Sequence, residues 1–500
     1  MRQPLANLAL SVLLGGCSLI YNAGNIPAVS RDAPPDMYIP DANAAMLTLT
    51  DVSPAQILEG TGDGGSRPEI LVIHGANIVA GAQVSVSGAA SVTVDNTMVT
   101  VTSDSTYLAL PLTSMVDGPL AAGTTVGLTI QVSQPIPGGG TTMQTIAGPM
   151  LQGLDELTAT ASYTQGTTYS KIMLPTFTIT AASTATNATM PYELRATSTI
   201  MLGDITAHGG LAVNTAGGPG GPGACPGAGA QAMGSCPGSG GAGAAGLGTL
   251  AAAQGGDGGG GGFAAMGAAG TSGNAPGAGG AIVGDDMIST YTANEPAGGG
   301  GGGSNSGLLG SKPGDGAGGG GGVIEVSAGG DVTAGTIDVT GGTGTAAEGG
   351  GGGGGGAGGA ILVRSGGTLS IGQLTATGGM GGGTGGVGSS GRIRWDNSAG
   401  TAPAASPAAA RGPTFVGMSG GSTPLVLTAT TLYLVGTPNA TVTVFAPGSS
   451  TGVTATFDAS GNASVNAALA TGFNHVCAVV AKGDQGHPES QECIDVAYLP

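Results

Sequence analysis

Between residues 46 and 134 apolar side chains alternate with polar ones in short runs: Leu47/Leu49, Ile70-Leu71-Val72-Ile73, Val84/Val86, Val92/Val94, Val99/Val101, Leu108/Leu110 and Val126/Leu128/Ile130. Successive side chains on a strand point to opposite faces, so a period of two predicts half-buried strands. Turn residues between closely spaced runs predict a β-sandwich. The same patterning returns over residues 422–500. There Val435 to Val444 leads through Thr454 and Phe457 to the turn Asp458-Ala459-Ser460-Gly461-Asn462 and the late run Gly472-Phe473-Asn474-His475-Val476-Cys477-Ala478-Val479-Val480. Residues 399–421, with an Ala/Pro-rich centre, read as a linker.

The middle of the chain, residues 157–398, carries an internal repeat with an offset of 37 residues, from Val323 to Ala360. Apolar residues meet apolar ones in the two copies: Ile324/Ile361, Val326/Val363, Val332/Leu369 and Ile337/Leu374. Glycines coincide at Gly329/Gly366, Gly335/Gly372, Gly341/Gly378 and Gly342/Gly379. An earlier copy fits through Leu194, Ile200, Gly203, Ile205 and Gly209-Gly210, and a half copy ends the array at Arg392-Ile393-Arg394-Trp395. Short strands separated by small-residue corners predict turns of a parallel β-helix, with Trp395, Arg392 and Arg394 as a cap on the last turn.

Glycine runs separate the copies at residues 258–262, 298–303, 318–322 and 349–356. Two physical readings stand side by side. Glycine loses the most backbone freedom on ordering and buries no side chain, which favours flexible loops. Extended helices of three residues per turn have no internal hydrogen bonds, and glycine alone lets them pack closely enough to bond one another. The expected fold class is therefore all-β: a sandwich, a glycine-rich β-helix-like region either looped or packed as polyglycine-II helices, and a second sandwich.

Composition narrows the partners. The chain has 105 Gly in 500 residues, 8% charged residues and a net charge of −18 with only 11 Lys plus Arg. Without a basic patch, nucleic acid is excluded as an expected partner. The four histidines are scattered, and there is no G-K-[ST] phosphate loop or H-E-x-x-H zinc motif. Gly417-Met418-Ser419-Gly420-Gly421 spells the nucleophile-elbow pattern, but a Pro/Ala linker precedes it and a strand follows, not the strand-then-helix setting it needs. Asp257, Asp285, Asp286, Asp315, Asp331 and Asp338 lie in or beside the glycine segments. Their spacing is not that of a calcium β-roll, so turn stabilisation is the expected role. Of the outward repeat positions Glu325, Asp338 and Arg364 stand out, with nothing in the sequence to bring them together. No catalytic residue, metal ligand or cofactor is expected, and the chain is not expected to be an enzyme.

The first residues carry an address. Arg2 precedes a short apolar run that ends in Leu14-Gly15-Gly16-Cys17, the arrangement of a cleaved export signal over residues 1–16. Residues 17–45, rich in Pro, Asp and Asn, read as a tether. Export makes the remaining cysteines available for oxidation. The local pairs Cys225–Cys236 and Cys477–Cys493 are expected because each closes a short loop within one compositional zone. A metal site using His475 or His487 is the weaker alternative for the second pair.

Three resemblances add expectations. Residues 14–17 resemble the lipobox of bacterial lipoproteins, which implies lipid on Cys17 and, with Ser18 following, the outer membrane. Val52-Ser53-Pro54, Ile73-His74-Gly75-Ala76-Asn77 and the glycine-containing strand from Gly123 to Ile130 resemble an IPT/TIG domain. Gly436-Thr437-Pro438, the turn at Asp458 and Gly472-Phe473-Asn474 resemble bacterial Ig-like domains of surface proteins, and the glycine zone is similar in composition to PE-PGRS proteins. Together they imply a lipid-anchored, non-catalytic surface protein, structural or adhesive, with the membrane as one partner and a glycan or cell surface as the other. The alternatives are a carbohydrate-binding or lyase-like β-helix protein, and a passive spacer or coat.

Overall fold

The computed structural model describes residues 46–59, 69–88, 92–113, 120–121, 123–136, 139–179, 191–234, 236–244, 256–273, 275–283, 298–303, 314–346, 351–398, 401–418, 421–422, 425–426, 430–481 and 490–500. The expected signal, tether and Cys17 lie outside them. The protein is all-β. Among the described residues the regular elements are strands, apart from two short 3-10 turns at Asn96–Met98 and Thr160–Ser162.

The first sandwich encloses one apolar core between two sheets. One sheet pairs Thr48–Ser53, Glu69–Ala76 and Tyr107–Thr113 antiparallel. The other is built on the antiparallel pair Thr125–Pro135 and Thr141–Gln152. Thr141–Gln152 lies beyond the alternating segment that ends at residue 134. Gln56–Leu58 joins this second sheet parallel to it. Leu71, Ile73, Leu108 and Leu110 from one sheet meet Val84, Ile130, Val132 and Leu151 from the other. All but Val132 and Leu151 belong to the apolar runs read from the sequence.

The middle of the chain is a parallel coil. Tyr192–Ala196, Val323–Ala328, Ala360–Ser365 and Arg392–Asn397 pair in parallel, in register, along one sheet. Ile200–Leu202, Val332–Asp338 and Leu369–Thr375 do the same along a second sheet. Every pair between the two central turns keeps the 37-residue offset: Ile324 faces Ile361 and Ile337 faces Leu374. The earlier copy falls into place as well, with Leu194 on Val326, Ile200 on Val332 and Ile205 on Ile337. The inward aliphatics of both sheets form one continuous core. At its start Tyr163 stacks on Tyr192 at 4.1 Å. At its far end Trp395 is buried beneath the Arg411 guanidinium, 4.8 Å from the ring centre.

The glycine runs are packed, and their amide bonds have a period of three. Along residues 256–262, the N–H groups of Gly256, Gly259 and Gly262 bond the carbonyls of Ala244, Gly241 and Gly238. Those of Asp257 and Gly260 bond Ser272 and Ala268, and those of Gly258 and Gly261 bond Gly352 and Gly355. Residues 316–322 repeat the scheme: Gly316, Gly319 and Gly322 bond Asn214, Gly210 and Ala207, Ala317 and Gly320 bond Ala228 and Cys225, and Gly318 and Gly321 bond Gly354 and Ala357. Residues 353–359 do it a third time. Each extended chain therefore bonds three neighbours in rotation, which satisfies the backbone groups that an unpaired buried loop would leave stranded. Residues 256–262, 298–303, 316–322 and 351–359 are all buried. Of the two readings of these runs, the packed one describes them.

The second sandwich packs Thr414–Met418, Thr430–Val435 and Asn462–Ala467 against a sheet containing Thr441–Phe445, Gly472–Val480 and Ser490–Tyr498. Leu432, Val442, Phe457, Val476 and Val496 are among its core residues. Ala497 and Leu499 then bury themselves against Ile70, Val72 and Ala109 of the first sandwich.

Candidate functional site

Register along the first sheet of the coil stacks charges that the sequence keeps far apart. Glu193, Glu325, Leu362 and Arg394 share one rung, and Arg195, Ser327, Arg364 and Asp396 share the next. Strand alternation puts both rungs on the face away from the coil's core. With Arg392, four of the chain's 11 basic residues lie on this face. The Arg195 guanidinium donates to both oxygens of Glu325, at 3.2 and 2.8 Å. Arg394 donates to both oxygens of Asp396, at 2.8 and 2.6 Å, and Arg364 donates to Asp396 Oδ2 at 3.1 Å. Two-pronged pairs of this kind are among the stronger hydrogen bonds in proteins.

The second of these rungs, Arg195, Ser327, Arg364 and Asp396, forms the floor of a cleft of about 440 Å³. Leu58 of the first sandwich borders it on one side, and Phe415, Glu492 and Ile494 of the second on the other. The neighbouring parts are tied to the floor by hydrogen bonds. Thr197 Oγ1 donates to Glu59 O at 3.3 Å, and the Gln491 carbonyl accepts from Arg364 and Arg394 at 3.1 and 3.0 Å.

Glu492 is the unusual group. Its Oε2 is buried without a hydrogen-bond partner, as are Thr414 Oγ1 and Arg394 Nη1. Burial, reinforced by the Asp396 charge, pushes the Glu492 carboxyl up to about 8, against the smaller pull of Arg364 and Arg394. It therefore carries its proton at neutral pH. Desolvation lowers Arg394 and the nearby Asp396 opposes that.

Glu325 and Arg364, singled out in the sequence, thus share one face, whereas Asp338 lies on the other sheet with His208 Nε2 3.0 Å from its Oδ2. The partners Arg195, Asp396 and Glu492 were missed. Aligning the half copy at Arg392 to its predecessors supplies the Asp396 signal. Glu492 has none, since it arrives from another part of the chain. Three aspartates of the glycine zone do not close local turns: Asp257 accepts from Ser272 N and Oγ and from the distant Gly352 N, Asp331 accepts from Thr368 N of the next turn of the coil, and Asp315 Oδ2 is buried without a partner. Asp285, Asp286, Ser419 and His487 lie outside the described residues.

The cysteines meet as the loop argument expects. Cys225 and Cys236 lie at disulfide-bonding distance with Cα atoms 6.1 Å apart, and Cys477 and Cys493 with Cα atoms 4.1 Å apart. Among the described residues no helix is long and apolar enough to cross a membrane.

Fold and cleft define an all-β protein with a parallel coil, a hydrogen-bonded glycine bundle and a buried charge cluster between its parts. Comparison with family models, curated proteins and solved structures finds no match to this chain.

Proposed function

We propose that this chain is a non-catalytic, lipid-anchored surface protein of structural or adhesive kind. In this reading Cys17 carries the lipid, two Ig-like sandwiches flank a β-helix-like coil, and the glycine bundle keeps the whole stiff enough to present its faces. The observation that carries the reading is the three-way amide bonding of the glycine runs. A passive flexible spacer has no need of it, because ordering each residue's backbone costs about 1–2 kcal/mol.

The test is amide hydrogen exchange on the full chain, read over residues 256–262, 298–303, 316–322 and 351–359. Protection comparable to that of strands Val323–Ala328 and Ala360–Ser365 is expected. Exchange at the unfolded rate would reduce the protein to sandwiches on a flexible tether.

One observation favours a second reading, carbohydrate binding. The cleft combines guanidinium groups, hydroxyls of Thr197, Ser327 and Ser398, and the Phe415 ring, the mixture that suits a sugar's polar rim and apolar face. Binding of soluble oligosaccharides that is lost in Ser327→Trp, a change that fills the cleft floor, would support it.

A further inference from the structure

The outward face of the last hairpin gathers a set of soft-metal ligands. Gly472–Val480 and Ser490–Tyr498 pair antiparallel, with Cys477 directly opposite Cys493 and His475 directly opposite Asp495. Their alternate neighbours Val476, Ala478 and Val496 point into the core, so these four side chains share the other face. Ligand atoms of His475, Cys477 and Cys493 lie within 4.8 Å of one another. His475 Nδ1 lies 2.8 Å from Asp495 Oδ1, and Gln491 Nε2 donates to Cys493 Sγ at 3.0 Å. His475 and Asp495 are exposed, with 63% and 43% of their side chains open to solvent.

We propose that reducing the Cys477–Cys493 disulfide turns this face into a binding site for one zinc-class divalent cation, with Cys477 Sγ, Cys493 Sγ and His475 Nε2 as ligands and solvent in the fourth position. The reductant is a protein or small-molecule dithiol. Its two thiols become a disulfide, the Cys477–Cys493 bond takes up two electrons and two protons, and the cation then displaces those two protons as the thiolates bind it. Two thiolates and an imidazole are a donor set zinc favours. A tetrahedral zinc with bonds of about 2.3 Å to sulfur places its two sulfurs roughly 3.8 Å apart, reached by side-chain rotation while the ladder stays paired.

The surrounding groups suit the task. Asp495 on Nδ1 holds the proton there and leaves Nε2 as the lone pair, an arrangement found behind many metal-bound histidines. The Gln491 amide stabilises a thiolate at Cys493. The core beneath the hairpin keeps the ligands opposed with no crosslink present. The disulfide is then a lock: closed when oxidised, a metal site when reduced.

The test is a Co2+ titration of the full chain, before and after reduction under argon and removal of the reductant. Thiolate-to-cobalt charge transfer and tetrahedral ligand-field absorption are expected at one equivalent, after reduction only. Cys225→Ser/Cys236→Ser keeps the signal, and Cys477→Ser/Cys493→Ser abolishes it. His475→Ala, an exposed change that leaves the fold standing, weakens Co2+ at least about tenfold, and Asp495→Asn by about tenfold. Absence of cobalt absorption in the reduced wild type would overturn the proposal. So would a signal that survives Cys477→Ser/Cys493→Ser, or one indifferent to His475→Ala.

Discussion

Glu492 shows how much one side chain depends on its surroundings. Its carboxyl would ionise near 4.5 when solvated and does so at about 8 in the fold, chiefly because burial penalises the charge. A raised carboxyl gives stability that is complete below pH 4.5 and is lost as pH climbs through 8. At roughly 1.4 kcal/mol for each pH unit over that interval, the loss has an upper bound of about 5 kcal/mol. Glu492→Gln, which keeps the shape and cannot ionise, should flatten this decline. Denaturant unfolding at pH 5, 7 and 9 measures it, and parallel slopes for the two proteins would remove Glu492 as the cause. Arg364 and Arg394 cannot compensate fully, because Asp396 already occupies them at 2.6–3.1 Å.

At the scale of the element, the glycine chains are defined by what cannot be added to them. A Cβ on Gly354 would lie 2.0 Å from the Gly259 carbonyl oxygen, which is backbone and has nowhere to go. Gly354→Ala should therefore cost about 3 kcal/mol or more, at the upper end of overpacking. Gly417, where a Cβ meets nothing within 4 Å, is the control, and Gly417→Ala should stay within about 0.5 kcal/mol of wild type. Paired thermal melts decide between them.

The elements also differ in how legible they are. The coil can be read from sequence because each turn writes its inward pattern again, so Ile324 predicts Ile361 before either is placed. The sandwiches can be read because alternation marks the buried face. Glycine chains announce neither their period nor their partners. Nothing in residues 256–262 says that Gly258 bonds Gly352, because a residue without a side chain carries no complementarity to read. The cleft is illegible for another reason. Arg195 and Glu325 are 130 residues apart, and Arg394 and Gln491 are 97 apart. Their meeting depends on register and on how one sandwich closes over the coil.

Across the whole molecule, the chain's last residues return to its first sandwich, with Leu499 against Ile70 and Val72. Leu499→Asp would bury a charge there, and calorimetry should then resolve two unfolding transitions in place of one. At the other end of the proposed architecture, Cys17→Ser should release the protein from the membrane fraction of its cells. Retention there would argue against a lipid anchor.

The period of three in the glycine bundle also limits how such a protein can change over time. Inserting one residue into residues 316–322 rotates every later amide by a third of a turn, toward the wrong neighbour, and an insertion of two does the same in the other sense. Adding or removing three residues restores all the directions and alters only the length. Lineages carrying such a bundle should therefore differ by lost or gained triplets of residues more readily than by substitution, so that the glycine zone drifts in length while its lattice stays the same.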